Sequence, residues 1–93
     1  MFANTFDPVV RDTLNNHPVG VSQAYSDVGN CLNQFEFKRV QGSVYLTEND
    51  DLSNLFRAIM ALRDLSWFPA SVRDIRAFKV EHWSDFTQLV KDI

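Results

Sequence analysis

The stretch from Ser71 to His82, SVRDIRAFKVEH, decides the fold. Its apolar residues lie mostly one or two positions apart, between charged ones, and this spacing predicts a β-strand with one face on a core. The alternation slips at Ala77–Phe78, where a β-bulge or burial of both faces would account for two adjacent apolar side chains. The charged residues predict either an edge strand protected from aggregation or a strand that directs guanidinium groups at an anion.

Two amphipathic helices are predicted on the N-terminal side of this strand. Val21, Tyr25, Val28, Leu32 and Phe35 recur at spacings of three and four, and a second apolar series runs between Leu52 and Leu65. The second series follows cap-forming and acidic residues that favour the start of a helix.

The remaining segments complete an alternating order of strands and helices. They are a strand over Met1–Asp7 ended by Pro8, a polar connection over Val9–His17 with His17 as a cap or loop residue, the first helix over Pro18–Gln34, strands over Phe35–Gln41 and Val44–Thr47 joined at Gly42-Ser43, and a final short helix within Trp83–Val90 capped by Ser84. This order predicts an α+β, ferredoxin-like β-α-β-β-α-β sandwich with an additional short C-terminal helix.

Length and composition limit the function classes. The chain has 93 residues, of which 45% are hydrophobic, so residues 1–93 are predicted to form a single domain. No apolar run has the length of a membrane span, no signal peptide is recognisable, and Cys31 is the only cysteine, which together favour a cytoplasmic protein without disulfides. The net charge of −3 argues against a general polyanion binder, so a nucleic-acid surface would have to be a local patch.

Two residues are candidates for chemistry. Asp7 ends the first strand, where it is either a turn aspartate before Pro8 or a carboxylate that projects into a cleft. Ser43 lies beside the predicted hairpin turn, where its hydroxyl either bonds its own backbone or donates to a phosphate. No glycine-rich phosphate loop, histidine pair or cysteine cluster is present, so a P-loop nucleotidase and a structural zinc site are both unsupported.

The chain resembles the virulence-associated protein D (VapD) family over nearly its whole length, in the same order and spacing. The phrases that carry the resemblance are Phe6-Asp7, Gln41-Gly42-Ser43-Val44-Tyr45, Asn54-Leu55-Phe56, Ser71-Val72-Arg73-Asp74-Ile75-Arg76-Ala77-Phe78 and Trp83-Ser84-Asp85-Phe86-Thr87. The resemblance implies a ferredoxin-like dimer related to the small CRISPR adaptation proteins, and a toxin-like endoribonuclease.

The resemblance also implies site residues. Asp7 and Ser43 match positions of the family's active site, and Asp74 and Arg76 match its signature strand. The chain departs from the family at Asn4-Thr5 and at Pro8, on either side of Phe6-Asp7.

If the protein cleaves phosphodiester bonds, each of these residues has a hypothetical role. Asp7 would act as a general base, or would pair with its copy in a homodimer and hold a divalent cation such as Mg²⁺. Ser43 would donate a hydrogen bond to the phosphate, Arg73 or Arg76 would neutralise its charge, and Asp74 would share their substrate-binding strand. Single-stranded RNA is the expected substrate, with Tyr45 and Trp67 as candidate stacking platforms.

A non-enzymatic reading competes with this one. A ferredoxin-like dimer could serve as a protein-interaction module in which Asp7 and Ser43 are structural, and the acidic composition favours it because RNA affinity depends on phosphate neutralisation. A toxin held by a cognate antitoxin protein would combine the two readings.

Overall fold

A computed structural model describes residues 1–92; Ile93, the last residue of the predicted domain, lies outside them. The described chain forms four strands and four helices. In chain order they are β1 (Phe2–Pro8), α1 (Val10–Asn16), α2 (Val21–Asn33), β2 (Lys38–Gln41), β3 (Val44–Thr47), α3 (Leu52–Arg63), β4 (Val72–Lys79) and α4 (Thr87–Lys91).

The strands form one antiparallel sheet in the order β2-β3-β1-β4. Strand β1 lies inside the sheet, between β3 and β4, and β2 and β4 are the edges. This arrangement confirms the predicted α+β, ferredoxin-like sandwich and its appended C-terminal helix.

Side chains alternate between the two faces of β1. Phe6 points into the core with residues of α2 and α3, whereas Asp7 is exposed. The face that carries Ala3, Thr5 and Asp7, opposite the helices, is called the open face below. The core on the helix side consists of Phe6, Ala24, Val28, Leu32, Phe37, Tyr45, Leu55, Ala58, Leu62, Trp67 and Phe68.

The C-terminal segment lies over part of the open face. Trp83 lines one hollow with Leu46 of β3, and a second with Val40 of β2. Several apolar side chains of this face and segment stay exposed, namely Val40, Phe78, Trp83, Phe86, Leu89 and Val90.

The predicted polar connection over Val9–His17 is wrong, because most of it is the helix α1. The chain enters α1 through a hydrogen bond from the Val9 amide to the Ser71 carbonyl at 2.8 Å, and the Thr13 hydroxyl donates to the Val9 carbonyl at 3.0 Å. Thr13 and His17 are buried although both are polar. Polar side chains at buried positions interrupt the apolar periodicity of a helix, so no local pattern in the sequence predicts α1.

His17 is a cap, as predicted. It ends α1, and its Nδ1 accepts hydrogen bonds from the amides of Val19 and Gly20 at 3.0 and 3.1 Å. Helix α2 therefore begins at Val21 and not at Pro18, because Gly20 has a φ of 121° that interrupts the helix.

Several other boundaries differ from the predictions, and β4 covers only Val72–Lys79 of the predicted stretch from Ser71 to His82. Strand β1 continues through Pro8, which pairs with Val72, and β2 begins only at Lys38. Helix α4 begins at Thr87, whose amide bonds to the Asp85 carboxylate at 2.9 Å, so Ser84 is not its cap.

The β-bulge is not at Ala77–Phe78 but at the start of β4. Asp7 pairs with Asp74 and Pro8 pairs with Val72, so Arg73 is the extra residue opposite the step from Asp7 to Pro8. A bulge of this kind turns two consecutive side chains of one strand toward the same partner residue.

Candidate active site

Two carboxylates face each other at the end of β1. Asp7 and Asp74 are in direct register across the antiparallel pair β1–β4, so both project from the open face. Their side chains are 53% and 47% exposed. Like charges in this relationship repel each other, so the pair needs compensating cations.

Two arginines supply that compensation. Arg73 Nη1 lies 3.5 Å from Asp7 Oδ2, and Arg76 Nη2 lies 3.5 Å from Asp74 Oδ2. The bulge explains the first contact, because it brings Arg73 to the side of Asp7. Exposed ion pairs of this length contribute at most about 1 kcal/mol, so each guanidinium could exchange its carboxylate for a phosphate.

Ser43 lies at the same end of the sheet but on its other side. The Phe6 amide donates to the Ser43 carbonyl at 3.3 Å, which places the Gly42-Ser43 turn beside the end of β1. Ser43 lines a hollow on the helix side together with Tyr25 and Arg39, whereas Asp7 is on the open face. In the described chain no hydrogen bond joins Asp7 to Ser43, so the structure brings Asp7, Arg73, Asp74 and Arg76 together and leaves Ser43 apart from them.

The two predicted stacking platforms are both in the core. Tyr45 is 3% exposed and its ring stacks on Phe6, with 6.2 Å between the centroids. Trp67 packs edge-on against His17 and Phe68. The ring faces of Tyr45 and Trp67 are therefore not open to a nucleobase. Burial raises the pKa of the Tyr45 hydroxyl, and nearby Arg39 partly opposes that rise, so this hydroxyl stays protonated at neutral pH.

The donor set limits how a metal ion could be held. Within residues 1–92 no group of three or more His, Cys, Asp or Glu side chains is placed to hold one. Asp7 and Asp74 supply two carboxylates, which matches the one or two by which proteins hold Mg²⁺ beside a substrate phosphate. Both residues would hold such an ion, and it would supply positive charge to the phosphate oxygens.

Tyr25 and Arg39 lie beside Ser43 in the structure, although no motif in the sequence singles them out as candidate site residues. In the sequence Tyr25 belongs to the apolar series of α2, yet in the structure it is 39% exposed. Arg39 was part of a short charged strand, and its side chain bonds to the turn that carries Ser43. Arg39 is in register with Tyr45, so both lie on the helix side of the sheet. This register, which the sequence does not specify, is what places Arg39 near Tyr25 and Ser43.

No helix in the described part of the chain is both long and apolar enough to cross a membrane.

Comparison with known proteins supplies the family. No family model matches the chain. A protein of Neisseria gonorrhoeae named endoribonuclease VapD homolog is 60% identical over 91 residues, which cover 98% of this chain and 99% of that protein. Endoribonuclease VapD of Haemophilus influenzae is 54% identical over 90% of this chain and 92% of its own length, and endoribonuclease VapD of Helicobacter pylori is 40% identical over 98% of this chain and 99% of its own. Identity of this extent over nearly whole chains confirms the resemblance: the chain belongs to the endoribonuclease VapD family.

Proposed function

We propose that the protein is an endoribonuclease that cleaves single-stranded RNA as a homodimer, with Asp7 as its general base. RNA cleavage follows from membership of a family in which similar proteins are named endoribonuclease. The observation that supports the proposed site is the cluster of Asp7, Arg73, Asp74 and Arg76 on the open face, which combines proton acceptors with exchangeable cations.

The chemistry requires a base and a positive environment. Asp7 accepts the proton of the attacking oxygen while the new oxygen–phosphorus bond forms and the bond to the leaving oxygen breaks. Arg73 and Arg76 leave their carboxylates and donate hydrogen bonds to the phosphoryl oxygens, where negative charge increases in the transition state. Ser43 donates to the RNA from the helix side of the same sheet end.

A second copy explains the exposed apolar surface. Phe78 is in register with Ala3 on the open face, and Trp83 and Phe86 of the C-terminal segment, which lies over part of that face near β2, are also exposed. A homodimer that pairs the open faces would bury these side chains and would bring the two Asp7 carboxylates to one interface. A duplex would not enter such an interface easily, which favours single-stranded RNA.

The test compares Asp7→Asn with the parental protein in cleavage of a labelled single-stranded RNA. We expect loss of about 10²- to 10⁴-fold in rate for Asp7→Asn, with multiple turnover by the parental protein. Asp64→Asn, a change of an exposed acid at the end of α3, is the matched control and should cleave normally.

Three further measurements test the remaining parts of the proposal. Added magnesium and a chelator test whether cleavage needs a metal ion, a duplex of the same sequence tests the preference for single strands, and the mass from light scattering tests the homodimer. A folded Asp7→Asn protein that cleaves at the parental rate would remove Asp7 from the mechanism.

The alternative is a non-catalytic interaction module. The acidic composition favours it because RNA affinity depends on phosphate neutralisation. The exposed apolar side chains favour it because an antitoxin protein could cover the same surface that a second copy would cover. A binder of this kind would shift RNA or capture a partner without producing fragments, whereas the enzyme turns over when RNA is in excess.

A further inference from the structure

A groove runs between helix α2 and the edge of the sheet. It consists of two hollows of about 460 and 400 Å³, and Tyr25 and Arg39 line both. One hollow ends at the turn that carries Ser43, and the other continues along α2 past Asn30 toward Lys38. Volumes of this size are typical of ligand sites in proteins.

The walls of this groove carry no negative charge. The chain has 12 acidic residues and a net charge of −3, yet among the described residues every side chain that lines the two hollows is neutral or basic. On the α2 side the wall consists of hydroxyl and amide groups from Ser22, Ser26, Asn30 and Asn33. The two hollows beneath the C-terminal segment differ, since Asp85 lines one and Glu36 and Glu48 line the other. The α2 groove is therefore the surface on which a polyanion meets cations without carboxylate repulsion.

Arg39 is held in position at the centre of the groove. Its Nε donates to the Gly42 carbonyl at 2.7 Å, which directs the guanidinium along the turn toward Ser43. No carboxylate of the described chain lies within ion-pair distance of Arg39, so its terminal nitrogens remain available for a phosphate. The register shift between Arg39 and Gln41 belongs to the same turn and re-aims the strand at this point.

Tyr25 supplies an aromatic surface next to that cation. It is 39% exposed on α2, in contrast to the buried ring of Tyr45. Exposed aromatic rings beside a cationic backbone groove are the usual elements of single-stranded nucleic-acid binding. The groove thus combines a phosphate ligand, a stacking ring and a path that leads to Ser43.

We infer that the groove between α2 and β2 holds the single-stranded RNA next to the cleavage site, with Arg39 on a backbone phosphate and a base stacked on Tyr25. This inference rests on the proposed function and extends it to the helix side of the sheet. It also gives Ser43 a role, as the residue where the bound strand passes from the groove to the end of β1.

The experiment measures RNA affinity separately from cleavage. An Asp7→Asn background keeps a fluorescent single-stranded RNA intact while anisotropy is followed between about 50 and 200 mM salt. In that background Arg39→Gln should weaken binding and reduce the slope of log affinity against log salt by about 0.7. Tyr25→Ala should weaken binding by roughly 5- to 150-fold, and Tyr25→Phe should bind normally because it keeps the ring. Arg57→Gln and Phe56→Ala, exposed changes on α3, are the matched controls.

Arg39→Lys separates phosphate binding from support of the turn. A phosphate ligand is largely replaced by lysine, so the salt slope should return, whereas a residue that only holds the Gly42 carbonyl would lose affinity equally as lysine and glutamine. Equal loss in both variants with an unchanged slope would overturn the inference. So would an Arg39→Gln protein that binds as tightly as Arg57→Gln while Arg73→Gln and Arg76→Gln lose affinity, because the RNA would then lie on the open face. Failure of the proposed chemistry would appear separately, as RNA fragments produced by the Asp7→Asn protein.

Discussion

Asp7 and Asp74 lie directly opposite each other on β1 and β4, and the bulge at the start of β4 brings Arg73 to within 3.5 Å of the Asp7 carboxylate. Two carboxylates in register repel each other, so the cluster is compact only because a guanidinium stands beside each one. A substrate phosphate that took over the Arg73 guanidinium would leave the Asp7 carboxylate free to accept a proton.

Neutralising either arginine should reduce cleavage far more than stability. Arg73→Gln and Arg76→Gln are expected to slow RNA cleavage by roughly 10- to 1,000-fold, because each removes a donor aimed at the developing charge. The free energy of unfolding should change by less than about 1 kcal/mol, since both ion pairs are exposed. Cleavage rates and urea unfolding check the two effects, and Arg63→Gln on α3 is the control. A loss of activity that parallels a loss of stability would contradict the assignment.

Asn4→Val should stabilise the protein. The Asn4 side chain is 0% exposed between Phe2 and Phe6, and neither atom of its amide finds a hydrogen-bond partner among residues 1–92. A buried unpaired amide costs about 1–3 kcal/mol, and valine suits a strand better than asparagine does. We expect the melting temperature to rise by several degrees. Thr5→Val, the neighbouring change on the open face, should alter it little; a lower melting temperature for Asn4→Val would show that the amide is bonded.

His17→Ala should destabilise the protein by about 2–4 kcal/mol. The buried imidazole connects three parts of the chain. Its Nε2 donates to Asp27 on α2 at 2.7 Å, and its Nδ1 accepts hydrogen bonds from two backbone amides in the loop before α2. The ring also packs on Trp67. Its removal leaves a cavity and two backbone amides without an acceptor. Gln23→Ala removes a single exposed hydrogen bond to Asp27 and should cost less than about 1 kcal/mol. Equal effects of the two changes in urea unfolding would contradict this role of His17.

The same contact predicts a dependence of stability on pH. The hydrogen bond from His17, followed by that from Gln23, lowers the pKa of Asp27 below its ordinary value. A carboxyl with a lowered folded-state pKa contributes stability that is present above its unfolded pKa of about 3.9 and is lost as the pH falls through the folded value. The difference in unfolding free energy between the parental protein and Asp27→Asn should therefore be largest near neutral pH and should shrink below about pH 4. A difference that stays constant to pH 3 would contradict the prediction.

Two glycines should respond in opposite directions to alanine. Gly20 has a φ of 121°, so Gly20→Ala forces an L-residue into strained backbone and should destabilise by about 1–3 kcal/mol. Gly29 is helical, and an added Cβ would meet the Tyr45 hydroxyl oxygen at 3.6 Å, an ordinary contact. Gly29→Ala should therefore stabilise α2 by up to about 1 kcal/mol. Thermal unfolding of the two variants checks the contrast, and a stabilised Gly20→Ala protein would contradict it.

The sequence by itself determined the strands, the two long helices and their order, because side-chain periodicity depends on whether the backbone is extended or helical. It also indicated Arg73, Asp74 and Arg76, since a charged strand stands out against an alternating apolar pattern, and Asp7 as the residue that ends the first strand, which the family resemblance assigns to the active site. Helix α1 escaped prediction because two buried positions, Thr13 within it and His17 at its end, are polar; the Thr13 hydroxyl bonds to the Val9 carbonyl, and the His17 ring bonds to Asp27 on α2.

Only the tertiary structure decided which of these residues meet. The position of the bulge sets Arg73 beside Asp7, and the pairing of β1 with β4 sets Asp74 opposite it, while the pairing of β1 with β3 puts Ser43 on the other side of the sheet. Register and bulge position depend on how whole strands pack against the helices. A shift of one residue would exchange the two faces of the sheet, and no local pattern in the sequence fixes that choice.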